Sequence, residues 1–118
     1  MIRPAITEPR PWRFPNPARS SLGSGLGLAF IDLPGQALAS VELVLPTPLE
    51  AEPRELEGVA TVVLHACDEA TVTLPDIVER LELQGAALLG RSTWGYTRLG
   101  VSAPARRLPK VLELFASV

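Results

Sequence analysis

The spacing of apolar residues changes from a period of two to a helical period along the chain, which restricts the fold to one with strands and helices. From Leu38 to Leu45 (LASVELVL) apolar and polar residues alternate, which is typical of a strand covered on one side. Over residues 52–70 the apolar residues recur at three- and four-residue intervals, which predicts an amphipathic helix. The face of this helix that we expect to be buried consists of Leu56, Val59, Ala60, Val63, Cys67 and Ala70.

The first part of the chain combines a proline-rich segment with a second apolar run. Residues 1–22 contain five prolines, which fix φ and remove backbone donors, so we predict an extended arm there. Residues 23–118 are predicted to form a single domain, because the chain is long enough for one domain but not for two. Within it, residues 26–33 (LGLAFIDL) precede the turn signal PGQA and are predicted to form a β-hairpin with residues 38–45.

The second part of the chain continues with a helix, two strands and another helix. A second helix is predicted to begin at Thr73, where Asp76 completes a capping box, and to end at Gly85. Two strands bent at residues 94–95 follow, and a last helix begins near Ala105. The resulting order, β-β-α-α-β-β-α, predicts an α+β fold in which an antiparallel sheet carries helices packed on one face.

Composition and charge argue against several classes of function. The net charge of -2, without a cluster of Lys and Arg, argues against nucleic acid or an acidic membrane surface as a partner. No apolar run approaches the roughly 18 residues that span a bilayer, and the N-terminus lacks the apolar segment of a signal peptide, so we expect a cytoplasmic protein. One histidine and one cysteine do not furnish a closed zinc site, so we expect no metal and no cofactor.

The single histidine, His65, lies in the first predicted helix, within GVATVVLHACDEAT. Because positions four apart on a helix share a face, histidines at positions 61 and 65 with a glutamate at 64 would bind zinc and activate its water. Thr61 and Leu64 stand at the other two positions, so the spacing is present without the chemistry. Cys67 lies about 200° around the helix from His65, so the two form no thiolate–imidazole pair. This counts against a third hypothesis, a hydrolase of unrelated chemistry.

With this helix, the chain resembles the N-terminal portion of the insulinase/pitrilysin family, whose zinc helix carries His-x-x-Glu-His. Only His65 matches that motif, in residues 58–65 (GVATVVLH). Further agreement lies in EAEPRELEG before the helix, in Gly85-Ala86 after the second helix, and in Pro104 before the sequence VLELFA. The resemblance covers about residues 22–118 and implies a partial pitrilysin-like α/β roll.

The resemblance implies a degenerate site at Thr61, Leu64 and His65, which lacks the first zinc histidine and the catalytic glutamate. It therefore implies no enzymatic activity for this chain alone. Active subunits of the family commonly work beside a non-catalytic partner of the same fold, and the two enclose an unfolded peptide. By this analogy the chain is a non-catalytic subunit or fragment that binds or encloses peptide and assembles with a zinc-bearing partner subunit. The alternative is a free-standing adaptor domain of the same fold with no link to proteolysis.

Three residues are candidate peptide contacts. Leu89 stands, with Gly90, where the family has a substrate-binding Asn-Ala, and Trp94 and Tyr96 flank a strand junction that could line a peptide groove, although ordinary packing explains these two aromatics equally well. Because Val118 falls in an apolar helical turn without a cap, we expect the chain to be a fragment. The rest of its own parent chain is then a further expected partner, and an unpaired sheet edge would favour self-association.

Overall fold

The computed structural model describes residues 8, 9, 11–67 and 69–118. The chain divides into two compact units, Met1–Gly35 and Gln36–Val118. The prediction of an extended arm lies outside the described residues for positions 1–7 and 10. The predicted α+β class is confirmed, because helices and antiparallel strands both occur in the chain.

The first unit contains a two-stranded antiparallel sheet of β1 (Ala18–Ser21) and β2 (Gly27–Phe30). The turn between them needs Gly25, whose φ of 87° lies in the left-handed region. β1 falls within the last residues of the predicted arm, while the predicted domain boundary at residue 22 stays a prediction. The predicted hairpin of residues 26–33 with residues 38–45 is wrong, because the nearer glycine turn pairs β2 with β1 instead.

The second unit is built on a three-stranded antiparallel sheet. Its strands are β3 (Leu38–Leu45), β4 (Ala87–Ser92) and β5 (Thr97–Pro104), in the spatial order β3-β5-β4. The bend that the sequence predicts at residues 94–95 lies in the loop that joins β4 to β5. Within the described residues three strands therefore precede the first helix, one more than the predicted order has, because β1 lies in the predicted arm.

The described part of the second unit also contains three helices: α1 (Val59–Cys67), α2 (Ile77–Leu83) and α3 (Leu108–Phe115). α2 and α3 cover one face of the sheet and enclose the core with it. The core consists of Ile77, Leu81, Ala86, Leu88, Val101, Ala103, Val111 and Leu114. The opposite face of the sheet has no helix among the described residues. The predicted arrangement, with helices on one side of an antiparallel sheet, is confirmed.

Several helix boundaries differ from those expected. The first helix begins at Val59 rather than at residue 52, because two short 3-10 turns, Leu49–Ala51 and Arg54–Leu56, precede it. Thr73 does not cap α2; Asp76 holds the N-cap position without a side-chain bond. Asp76 instead accepts a hydrogen bond from Arg80 at 2.8 Å, and this bond lowers the pKa of the Asp76 carboxyl.

The end of the last helix also differs from expectation. α3 ends at Phe115, so Val118 lies beyond the helix rather than inside one of its turns. The predicted end of α2 is confirmed, since Gly85 follows the helix with a φ of 68°.

Candidate functional site

The N-terminus of α1 is fixed by a carboxylate from the preceding segment. The Glu52 side chain accepts hydrogen bonds from the N–H of Gly58 at 2.6 Å and from the N–H of Ala60 at 2.9 Å. The first amides of a helix lack intrahelical acceptors, and a negative charge there also complements the helix dipole. Gly58, with a φ of 89°, turns the chain so that Glu52 reaches these amides. The sequence does not predict this function for Glu52, because its spacing places residue 52 inside the helix rather than in the segment before it.

The side of α1 that faces the sheet carries Leu64. This side chain is 9% exposed and lies directly on Gly90 of β4. A Cβ placed on Gly90 would come within 2.9 Å of the Cβ of Leu64, so only glycine allows the helix to approach this closely. Ala60 and Cys67, which share the face of Leu64, are half-buried.

The predicted buried stripe of α1 is therefore wrong in part. Val59 is 39% exposed and Val63 is 53% exposed, whereas Leu64, which that stripe omits, is buried. The physical reason is that apolar residues surround α1 on nearly every side, so their spacing does not select one face. The packing of Leu64 on Gly90 determines which face of α1 is buried.

The three motif positions lie together on α1 but in different surroundings. Thr61 and His65 are exposed, one turn apart, while Leu64 is buried between the helix and β4. The position that the sequence resemblance aligns with the catalytic glutamate is therefore occupied by an apolar side chain in a closely packed contact. Among residues 8, 9, 11–67 and 69–118, no group of three or more His, Cys, Asp or Glu could bind a metal ion.

Of the candidate peptide contacts, Leu89 lies on the other face of the sheet from the motif. Leu89 is 67% exposed and neighbours Gly90 along β4, so it projects from the opposite face of the sheet to the one that carries α1. Trp94 and Tyr96, which are 76% and 40% exposed, lie in the loop between β4 and β5. The Thr93 hydroxyl donates to the carbonyl of Tyr96 at 2.7 Å and shapes this loop. The structure thus does not bring Leu89 and His65 together.

A buried threonine at the base of the same loop connects three segments of the chain by hydrogen bonds. Thr97 is 4% exposed, and its hydroxyl donates to the carbonyl of Thr47 at 2.7 Å. The hydroxyls of Thr97 and Ser92 lie 2.8 Å apart, which links β5 to the end of β4. Sequence reasoning missed this network, because a threonine within a strand gives no signal of its partners.

The open face of the sheet carries a shallow cavity of about 220 Å³. Its lining residues come from all three strands: Glu42, Leu89, Gly90, Arg91, Arg98 and Gly100. Arg98 lies 3.4 Å from the Glu42 carboxylate, and Arg91 is directly opposite Arg98 in the strand register. Neither arginine was singled out from the sequence, because their proximity depends on the pairing of β4 with β5.

Comparisons with known proteins identify the fold. No family model and no curated protein matches the chain. Among solved structures, a protease from Helicobacter pylori superposes with a TM-score of 0.76 at 20% identity, over 88% of this chain and 25% of that chain. Pitrilysin superposes with a TM-score of 0.71 at 18% identity, over 86% of this chain and 11% of that chain. The chain has a pitrilysin-like fold.

This fold agrees with the resemblance that the sequence shows, at the level of architecture. The chain spans a quarter of the length of the Helicobacter pylori protease and a smaller share of pitrilysin. None of the described helices combines the length and the apolar character that crossing a membrane requires. The roles of Thr61, Leu64, His65, Leu89 and the two loop aromatics stay predictions.

Proposed function

We propose that this chain is a non-catalytic peptidase-like module that binds extended peptide and assembles with a zinc-bearing subunit. The observation that carries the proposal is the packing of Leu64 on Gly90. In a helix that bound and activated a zinc water, position 64 would have to present a carboxylate to that water. A leucine that fills the contact between α1 and β4 has no group that accepts a proton.

The neighbouring positions do not compensate for this loss. Thr61 offers a hydroxyl where an imidazole would bind the metal, and within Val59–Cys67 His65 is then the one strong ligand on this face of the helix. A positioned general base typically contributes about 10²- to 10⁴-fold to a rate, and activation of water by zinc contributes further. A chain that lacks both is expected to act through binding.

The free edge of β4 supports peptide binding. β4 is an edge strand of the three-stranded sheet. Its outer backbone groups therefore face no other strand among the described residues of this unit. Peptides bind such edges as an additional strand, in which main-chain hydrogen bonds supply affinity with little demand on sequence. The exposed Leu89 side chain, on the same strand, adds an apolar contact for the peptide.

The test combines metal, turnover and binding measurements on the full chain. We expect no stoichiometric zinc by elemental analysis, no cleavage of quenched fluorescent peptides, and binding of labelled unstructured peptides in fluorescence anisotropy. The matched controls are two forms of one peptide, each N-methylated at alternate amides, since one of the two forms must lose the bonds to the strand edge. Tight stoichiometric zinc or turnover would overturn the non-catalytic assignment.

Assembly is tested separately by affinity purification of the tagged chain from its source cells, followed by mass spectrometry. We expect a co-purified protein whose own sequence carries an intact His-x-x-Glu-His helix. If the captured proteins lack this motif, the chain is better described as an adaptor domain that has kept the fold alone.

A further inference from the structure

Two arginines face each other on the open side of the sheet, opposite to α1. Arg91 of β4 and Arg98 of β5 are direct partners in the strand register, and like charges at directly opposed positions are destabilising. Glu42 of β3 offsets one of the charges, since its carboxylate lies 3.4 Å from Arg98. Two guanidinium groups and one carboxylate leave this surface with an excess of positive charge.

The surface also has the shape of a small binding site. Gly100 lies at its floor between Glu42 and Leu89, and its missing side chain leaves the space open. A Cβ at Gly100 would lie 3.3 Å from the Cγ of Glu42, so a larger residue would crowd the floor. The cavity of about 220 Å³ has room for one side chain rather than for a large ligand. Leu89, 67% exposed, provides an apolar wall.

Guanidinium groups bind carboxylates by paired, charge-assisted hydrogen bonds. A carboxylate near Arg91 would relieve the repulsion between the two arginines, and Arg98 could keep its contact with Glu42. The charge of the surface therefore favours an acidic ligand over a neutral or basic one.

Arg91 lies on the edge strand β4, and this position indicates how an acidic peptide would bind. A peptide strand added antiparallel to β4, as all strands of this sheet are, places alternate side chains on the open face. The two peptide residues that lie opposite Arg91 and Leu89 are then two positions apart in the peptide. Because the peptide runs antiparallel to β4, the residue opposite Arg91 precedes the residue opposite Leu89. Directly opposed side chains interact most strongly across such a pair.

We propose that the cavity over Gly100 is a specificity site that selects peptides carrying an acidic residue two positions before an apolar one. This proposal rests on the proposed peptide binding at β4 and adds a substrate class to it. Arg91 supplies the selection for the acid, Leu89 supplies the selection for the apolar residue, and the strand edge holds the backbone in register.

The experiment measures binding of three labelled peptides to the full chain by fluorescence anisotropy. The peptides are identical except for Glu, Gln or Lys two positions before a leucine. We expect the Glu peptide to bind about fivefold or more tightly than its Gln isostere, and the Lys peptide to bind most weakly. Arg91→Gln should bring the ratio of Glu to Gln affinities close to one, and Arg91→Glu should make the Lys peptide the preferred one.

The matched control is Arg106→Gln, which removes the same charge from an exposed turn before α3. Its ratio of Glu to Gln affinities should equal that of the unchanged chain. An equal loss of the ratio in Arg106→Gln would show general electrostatic attraction and overturn the proposal. Binding of all three peptides with equal affinity would overturn it while leaving the proposed function intact. Absence of any peptide binding would overturn both.

Discussion

At the scale of single residues, the contact between Leu64 and Gly90 sets the distance between α1 and β4. We predict that Gly90→Ala lowers the free energy of unfolding by about 1–3 kcal/mol, because the new methyl group would lie 2.9 Å from the Leu64 Cβ. The chain must relieve this overlap by moving the helix or the strand. Urea unfolding monitored by circular dichroism measures the change.

Gly95→Ala is the matched control for this prediction. It makes the same substitution in the neighbouring loop, where a Cβ would meet no atom within 4 Å. Its free energy of unfolding should stay within about 0.5 kcal/mol of that of the unchanged chain. Equal effects of the two substitutions would mean that α1 does not pack closely on Gly90.

At the scale of elements, α1 depends on a cap from outside the helix. We predict that Glu52→Gln destabilises the start of α1 by about 0.5–2 kcal/mol, because the charged acceptor of two helix amides is replaced by a neutral one. Hydrogen exchange should accelerate first at the amides of Gly58 and Ala60. Glu50→Gln, an exposed change in the same segment, should leave both exchange rates unaltered.

The same elements show which parts of the fold are predictable from sequence. The existence of α2 and its end at Gly85 follow from local spacing and from a residue that tolerates positive φ. The strands that pair with β2 and β3 cannot be predicted from local spacing, because pairing is decided by turns and by strands that are distant in the sequence. The buried face of α1 is equally hidden in the sequence, since it depends on a glycine in β4.

The candidate site was predictable in the same uneven way. The location of Thr61, Leu64 and His65 on one helix could be predicted from their spacing, whereas their assignment as a degenerate motif stays a prediction. The juxtaposition of Arg91 and Arg98 required the register of two strands, which the sequence does not specify. Residues that lie on one helix or strand can thus be grouped from the sequence. Residues that share only a surface can be grouped once the pairing of the strands is known.

At the scale of the whole molecule, the hydrophobic core lies entirely within the second unit. Every buried apolar residue of the described part falls between Leu64 and Leu114, and the three-stranded sheet begins at Leu38. We predict that a chain beginning at Gln36 unfolds cooperatively on heating, with a midpoint within about 5 °C of that of the full chain. Differential scanning calorimetry of both chains measures the two midpoints.

The contrasting deletion removes α3 and leaves the first unit in place. A chain that ends at Arg107 lacks Val111 and Leu114, two of the core residues, and exposes the apolar surfaces of α2 and β5 that they cover. The loss of two core side chains, together with exposure of the remaining core to water, costs an amount comparable to the roughly 5–15 kcal/mol by which domains are stable. This chain should therefore show no cooperative transition. If the first deletion abolished cooperative unfolding and the second preserved it, the core would not be the source of the stability of this fold.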